Sequence, residues 1–238
     1  MKKILFVFIL FFHLNVFPQG FSYPKIQDEG ASISDFTPKG WSVLKSANGD
    51  LNNDKSSDIA FVIQYKDSVN LIEEHAENVE SHHPIRCQPR ILIIAFYDKL
   101  SKKFKKAEQS NTFILCHYNS NMDEPFEDIS TAKNVLSINF RIWYSMGSWT
   151  MSTHLYKFRY QKNEFALIGA EYQSTHRATG ATENRSYNFL TKKLEMSVGN
   201  IADDQGKIET SKLNMSTLKT LKTFVAPFTW NIYPDFTL

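Results

Sequence analysis

Acidic and amide side chains recur at ligand spacing in one stretch of the chain, Gly49-Asp50-Leu51-Asn52-Asn53-Asp54-Lys55-Ser56-Ser57-Asp58. Asp50, Asn52 and Asp54 alternate, so their oxygens can converge on a tightly turning loop, and Asp58 adds a fourth side chain. Calcium takes about six to eight oxygen ligands, whereas zinc prefers nitrogen and sulfur. The pattern therefore predicts a structural calcium-binding loop with these four side chains as ligands. The alternative is a polar turn whose acids face solvent.

An EF-hand is excluded by the residues at two fixed positions of the loop. That motif requires glycine at its sixth position and glutamate at its twelfth, where this chain has Lys55 and Phe61. The run that follows, Ile59-Ala60-Phe61-Val62-Ile63, is rich in β-branched and aromatic residues, which favour a strand. The loop is therefore expected to connect two β-strands.

The stretch from Gly49 to Val62 resembles the calcium loop of the FG-GAP repeats of integrin-type β-propellers. The resemblance covers residues 41–106 as one blade-like unit and implies that calcium clips the two strands together. Lys55 stands where the family has glycine, which places a non-glycine residue in a tight turn. Propellers contain about 4–8 blades, and a single copy of this loop does not make a complete one. Residues 123–191 loosely resemble uncharacterised exported bacterial domains, which implies no activity.

The N-terminus has the pattern of a secretory signal peptide. Lys2-Lys3 precede an apolar run of about 14 residues, 4–17, which is shorter than the ~20 residues that span a bilayer. Gly20-Phe21-Ser22 supplies small residues at the −3 and −1 positions of a cleavage site. We therefore expect a leader over 1–22 and a single exported domain over 23–238, periplasmic or extracellular. A membrane anchor is the alternative, and no later segment is long and apolar enough to span a membrane.

Export also bears on the two cysteines, Cys87 and Cys116. An even number of cysteines in an oxidising compartment favours a disulfide. The alternative is a transition-metal site that combines the sulfurs with His82, His83 and His117.

Alternating apolar and polar residues separated by turn residues predict an all-β fold. We expect antiparallel sheets, partial propeller-like or sandwich, with one or two short helices and an antiparallel meander over 129–200. The predicted strands cover residues 41–45, 59–65, 90–97, 112–116, 135–144, 149–160, 165–172, 187–191 and 194–198. Turns are predicted at the lysine-rich stretch 99–106 and at 203–206, a helical turn near 70–79, and a short helix from Ser216 to Leu221.

Three aromatic residues flank the predicted turn between two of these strands. Trp143, Tyr144 and Trp149 surround the residues Ser145–Ser148. Exposed aromatic side chains at a hairpin tip can stack on sugar rings or anchor a protein partner. The sequence therefore predicts a binding surface for a protein or glycan partner here, and ordinary core packing is the alternative.

Composition and motifs favour a binding protein over an enzyme. The net charge is only +2 with no basic block, so no nucleic acid partner is expected. Nucleophile-elbow, phosphate-loop and dinucleotide motifs do not occur. The first hypothesis is an exported non-catalytic β protein with a structural calcium-binding loop that acts as an envelope interaction or ligand-binding module. The second is an exported hydrolase with an unrecognised active site, which a Ser–His pair or two carboxylates converging in a pocket would favour.

Overall fold

The computed structural model describes residues 21–71, 85–233 and 236–238, and within them the only helix is a four-residue 3-10 turn, Ile33–Phe36. The all-β class with antiparallel sheets is thereby confirmed. Seven short or medium strands come first in the chain: β1 (Glu29–Gly30), β2 (Trp41–Gly49), β3 (Asp58–Tyr65), β4 (Val69–Leu71), β5 (Ile85–Cys87), β6 (Arg90–Asp98) and β7 (Lys103–Ser110). Five of them form the N-terminal sheet, in the order β1-β7-β6-β3-β2, and β4 pairs with β5 as a separate ribbon.

The two central strands of the N-terminal sheet are buried on both faces. In β3, Ile59, Phe61 and Ile63 pack against the segment before β2, where Ile26 and Phe36 are fully buried. The alternate residues of β3 and β6 belong to a second core on the opposite face. This double burial explains why both strands are continuous apolar runs and do not alternate with polar residues.

The C-terminal sheet is a meander of seven consecutive antiparallel strands, in the spatial order β14 to β8. Its strands are β8 (Phe126–Ala132), β9 (Val135–Ile142), β10 (Thr150–Gln161), β11 (Glu164–His176), β12 (Ala181–Asn188), β13 (Lys193–Asn200) and β14 (Asp203–Lys212). Two hairpins turn through Lys-Asn pairs, Lys133-Asn134 and Lys162-Asn163, with all four residues at positive φ. Such turns match the right-handed twist of the strands that they join.

The two faces of the C-terminal sheet differ in character. Leu136, Ile138 and Phe140 of β9 are fully buried, and the residues between them are only partly buried. The buried side, called here the inner face, shares one core with the N-terminal sheet. Phe113 lies at the centre of this core, with its ring 5.2–6.2 Å from the rings of Phe140, Tyr156, Phe158 and Phe224. The other side, called the outer face, is polar and solvated.

A disulfide joins Cys87 of β5 to Cys116. The predicted disulfide is confirmed. Neither sulfur is therefore available as a ligand for the alternative transition-metal site. The bridge closes a loop with a sequence separation of 29 residues. A loop of this size is worth roughly 3.6 kcal/mol in the chain-entropy account of disulfide stabilisation.

Five of the expected elements differ from those observed. The strand expected at 187–191 falls mostly on the turn 189–192 that follows β12. Residues 112–116 lie in an irregular segment, while the lysine-rich stretch forms β7 after a turn at 99–102. The turn predicted at 203–206 is the start of β14, an exposed edge strand. No helix forms at 216–221, because the backbone there bonds to β11: Leu167 N–H donates to Lys219 O and Leu221 N–H to Phe165 O.

Two predictions fall outside the described residues, wholly or in large part. These are the leader over 1–22, of which only Phe21 and Ser22 are described, and the helical turn near 70–79. The ring of Phe21 packs 5.4 Å from that of Tyr65 and 6.3 Å from that of Trp41. Elsewhere in the described chain, no helix has the length and apolar character needed to cross a membrane.

Two further strands, β15 (Asn231–Tyr233) and β16 (Phe236–Thr237), pair with each other near the C-terminus. Trp230, Ile232 and Phe236 pack on the shared core, and Leu238 is buried in it. The C-terminal segment therefore covers part of the inner face of the C-terminal sheet.

Candidate functional site

The acidic loop between β2 and β3 is closed from the inside by Asp58. This carboxylate is fully buried and accepts hydrogen bonds from Leu51 N–H at 2.8 Å and Asn52 N–H at 3.3 Å. Its other oxygen accepts from Tyr97 N–H of β6 at 2.9 Å. Burial raises the pKa of Asp58 above its usual value, and the three backbone donors oppose that shift. Asp58 therefore joins the loop to the sheet, because both of its carboxylate oxygens accept hydrogen bonds from backbone N–H groups.

The other three predicted ligands lie together on the outer side of the loop. Asp54 N–H lies 3.2 Å from Asp50 Oδ1 and 3.0 Å from Asn52 Oδ1. Asp50 Oδ2 also accepts from Lys55 N–H at 2.9 Å, and Asp54 Oδ1 from Ser56 N–H at 2.7 Å. The structure therefore brings together two carboxylates and one amide, with Asp58 turned inward.

Residue types at this loop fit a hard cation. Ser56 Oγ is buried beside Asp54 and, by hydrogen bonding to that carboxylate, lowers its pKa, so one further oxygen adjoins the cluster. In the part of the chain that the structure describes, no group of three or more histidine, cysteine, aspartate or glutamate side chains could hold a metal ion. A calcium ion here would therefore rely on two carboxylates, with amide, hydroxyl and water oxygens completing its shell.

The loop is also fixed to both sheets. Asn134 Nδ2 of the C-terminal sheet donates to Asp50 O at 2.8 Å, and Lys99 Nζ donates to Asp54 O at 3.0 Å. Lys55, in the position where glycine was expected, has φ 66°, which is the left-handed region that favours glycine. The backbone thus adopts the tight turn even though a side chain is present.

The aromatic turn, defined as residues 143–149 together with Arg177, is organised by that arginine. Arg177 donates side-chain hydrogen bonds to the carbonyl oxygens of Tyr144, Ser148 and Trp149. Its guanidinium carbon lies 5.0 Å from the centre of the Trp143 ring and 6.0 Å from that of Trp149. Cation–π contacts of this kind orient the rings.

Exposure differs among the three predicted aromatic residues. Trp149 is 64% exposed, whereas Trp143 and Tyr144 are half-buried. The hydroxyl of Tyr144 lies 3.3 Å from that of Tyr118. Trp149 therefore presents one large ring to solvent on a turn whose backbone carbonyl oxygens are held by Arg177.

A groove of about 340 Å³, lined by both polar and apolar groups, crosses the outer face of the C-terminal sheet. It extends over β8 to β11, and its lining includes Asp128, Ser130, Ser137, Thr153, Leu155, Glu171 and Gln173. Its two carboxylates, Asp128 and Glu171, are each paired with a lysine. Its volume is in the range of roughly 300–1,000 Å³ found for small-molecule sites. Arg177 follows the alternation of the outer-face residues Glu171 and Gln173, so the aromatic turn adjoins the end of this groove.

A second cavity of about 340 Å³ lies where the end of β7 meets residues 221–225. Its polar side chains already bond within the protein: Gln109 donates to Asn111 at 2.9 Å, and Ser110 Oγ accepts from Phe113 N–H at 3.1 Å. This cavity is therefore a seam between segments and leaves few groups for a ligand.

A Ser–His pair occurs on the inner face of β10. Ser152 Oγ and His154 Nε2 are 2.9 Å apart, while His154 Nδ1 has no partner among the described residues. His154 is only 5% exposed, and its ring packs against those of Tyr172 and Phe228. Burial lowers the pKa of His154 to about 4. The imidazole is therefore a weak base without an orienting acid, which differs from the arrangement that activates a catalytic serine.

The acids of the segment 123–128 are each engaged by a cation. Arg90 forms a bidentate salt bridge with Glu124, with nitrogen–oxygen distances of 2.6 and 2.7 Å. Arg141 Nε lies 3.0 Å from Glu127 Oε1. The same arginine lies 3.4 Å from Asp123, and a lysine of β2 is 3.9 Å from Asp128. Each of these carboxylates is therefore held in an ion pair, and Arg141 is shared by Asp123 and Glu127.

Sequence reasoning placed Arg177 on a solvated sheet face and identified neither its contacts with the aromatic turn nor the groove. Polar residues at every second position of β9, β10 and β11 indicate a solvated face. The same alternation occurs on any half-buried sheet, so it does not distinguish a groove from an ordinary exposed surface. Comparison with family models, curated proteins and solved structures finds no match to this chain. The FG-GAP resemblance therefore depends on the loop residues alone.

Proposed function

We propose that this protein is an exported, non-catalytic binding module that engages a ligand of the cell envelope through the aromatic turn. The observation that carries this proposal is Trp149, which is 64% exposed on a turn whose backbone carbonyl oxygens accept hydrogen bonds from Arg177. A large exposed ring fixed in advance is typical of the residues that dominate binding energy. The disulfide is consistent with an oxidising compartment, which supports export.

Trp149→Ala tests the proposal. The purified protein should co-sediment with isolated cell envelopes, and this variant should bind at least about tenfold more weakly, because the exposed ring is lost while the fold is retained. Leu100→Ala is the matched control, since Leu100 is 96% exposed on a different turn. Equal binding by wild type and Trp149→Ala would refute the role of the turn.

A hydrolase is the competing proposal, and the observation in its favour is the pair Ser152–His154. Catalysis there would require Ser152 to attack a carbonyl while His154 takes its proton. The buried imidazole, with its lowered pKa and its cover of aromatic rings, argues against that role. We therefore assign the pair to the packing of the inner face.

In this proposal the acidic loop is a structural clip. Asp50, Asn52 and Asp54 would hold calcium, which supplies positive charge to a site with two carboxylates. Any ion that binds only the folded state raises stability. Calcium should therefore raise the melting temperature by a few degrees, at roughly 2–4 °C per kcal/mol for a chain of this size.

The control for the calcium prediction is a pair of variants. Asp54→Ala should abolish the calcium-dependent increase, whereas Glu209→Ala, an exposed acid on β14, should retain it. Calorimetry with added calcium and then with chelator gives the comparison. A wild-type melting temperature that is the same in both conditions would show that the loop needs no ion.

A further inference from the structure

The charges around the outer-face groove neutralise one another. Lys157 is paired with Glu171, Lys45 lies 3.9 Å from Asp128, and Arg141 lies 3.0 Å from Glu127. These three cations therefore already have anionic partners, and Arg177 at the end of the groove is engaged by carbonyl oxygens and aromatic rings. A strongly charged ligand, such as a phosphorylated or uronic acid polymer, would have to break these pairs before it could bind.

Neutral hydrogen-bonding groups, by contrast, remain available. The side chains of Ser130, Ser137, Thr153 and Gln173 line the groove and form no hydrogen bond with other described residues. Each hydroxyl can both donate and accept, and an amide offers two donors and an acceptor. Hydroxyl groups of a ligand have the matching ability to donate and accept.

The groove also has an apolar side along one strand. Leu155 lies in the groove, Met151 is 39% exposed further along β10, and Trp149 precedes that strand. At about 3.3 Å per residue, Trp149 and Leu155 are about 20 Å apart. This distance suits a chain of several linked rings better than a single ring, and the C–H faces of sugar rings pack on such apolar and aromatic groups.

We infer that the groove and the aromatic turn together bind an uncharged, linear oligosaccharide, an inference that rests on the binding role proposed above. The paired charges, the available hydroxyl and amide groups and the apolar strip are the features that recognise a neutral glycan. A protein partner is less well matched, because the core of a protein interface is depleted of charged residues and this groove is lined by Asp128 and Glu171.

The test is calorimetric titration of the full chain with linear neutral oligosaccharides, with acidic ones and with the neutral monosaccharides. Neutral oligosaccharides should bind, and the monosaccharides and acidic polymers should bind at least about tenfold more weakly. Thr153→Ala/Gln173→Ala should lower affinity by about tenfold, because two hydrogen bonds are lost. Thr210→Ala, which removes an exposed hydroxyl from β14, should bind like wild type.

The outcomes separate this inference from the binding role on which it rests. If envelopes bind in a Trp149-dependent manner but neutral oligosaccharides do not, or bind the double variant unchanged, the glycan assignment is overturned and the binding role stands. Preference for acidic polymers, or binding to envelope protein alone, overturns it in the same way. If envelopes do not bind at all, the binding role itself is refuted.

Discussion

Asp58→Ala is expected to lower the free energy of unfolding by about 3–5 kcal/mol. Its carboxylate accepts three backbone N–H groups, two from the acidic loop and one from Tyr97 of β6. Each buried donor that loses its partner costs roughly 1–3 kcal/mol. Urea denaturation followed by far-UV circular dichroism measures the difference.

Two variants control this prediction. Asp58→Asn keeps one acceptor oxygen and removes a buried charge, so it should lose less stability than the alanine variant. Asp54→Ala, at an exposed position on the same loop, should change stability little when calcium is absent. If Asp58→Ala unfolds at the same urea concentration as wild type, Asp58 is not the clip that we describe.

Acidification should destabilise the protein through His154. Burial lowers the pKa of His154 to about 4, whereas the pKa of an exposed histidine is about 6.5. Between these two pH values the unfolded chain binds a proton at this residue and the folded chain does not. The stabilising effect of the neutral imidazole is complete above pH 6.5 and is lost as the pH falls toward 4. The expected loss is about 3 kcal/mol, at 1.36 kcal/mol per pKa unit.

The relevant pH window distinguishes His154 from Asp98, and protonation of Asp58, whose pKa is raised by burial, would act in the opposite direction. Lys105 lowers the pKa of Asp98 to about 2, so that group titrates at more acidic pH. Urea denaturation at pH values between 7 and 4 should show the decline for wild type, and His154→Phe should remove most of it. An unchanged decline in the variant would assign the acid sensitivity to other groups.

Much of the fold could be predicted because local patterns agreed with the tertiary structure. The apolar runs of β3 and β6 and the alternation in β9 and β10 made these strands clear. Two of the missed strands, β7 and β14, are rich in charged residues. Segment 112–116 has a strand-like composition, but Phe113 and Ile114 fill the core from an irregular backbone. Because buried residues in an irregular segment do not recur at the spacing of a strand or a helix, the sequence pattern cannot identify such a segment.

The candidate site was predictable only in part. Residue types located the acidic loop and the aromatic turn, but not the inward direction of Asp58, which depends on the position of β6. Arg177 is distant in sequence from the rings that it contacts, and pairing of β10 with β11 brings it there. Contacts that depend on strand register cannot be identified from spacing along one chain.

The most direct test of the account combines binding and turnover in one measurement. Isolated envelope polysaccharide is incubated with wild type, Trp149→Ala and Ser152→Ala, and both the bound protein and the soluble fragments released are quantified. We expect saturable binding that Trp149→Ala weakens and Ser152→Ala leaves unchanged, with no fragments released. Release of soluble fragments that Ser152→Ala abolishes would contradict the binding module and establish a hydrolase.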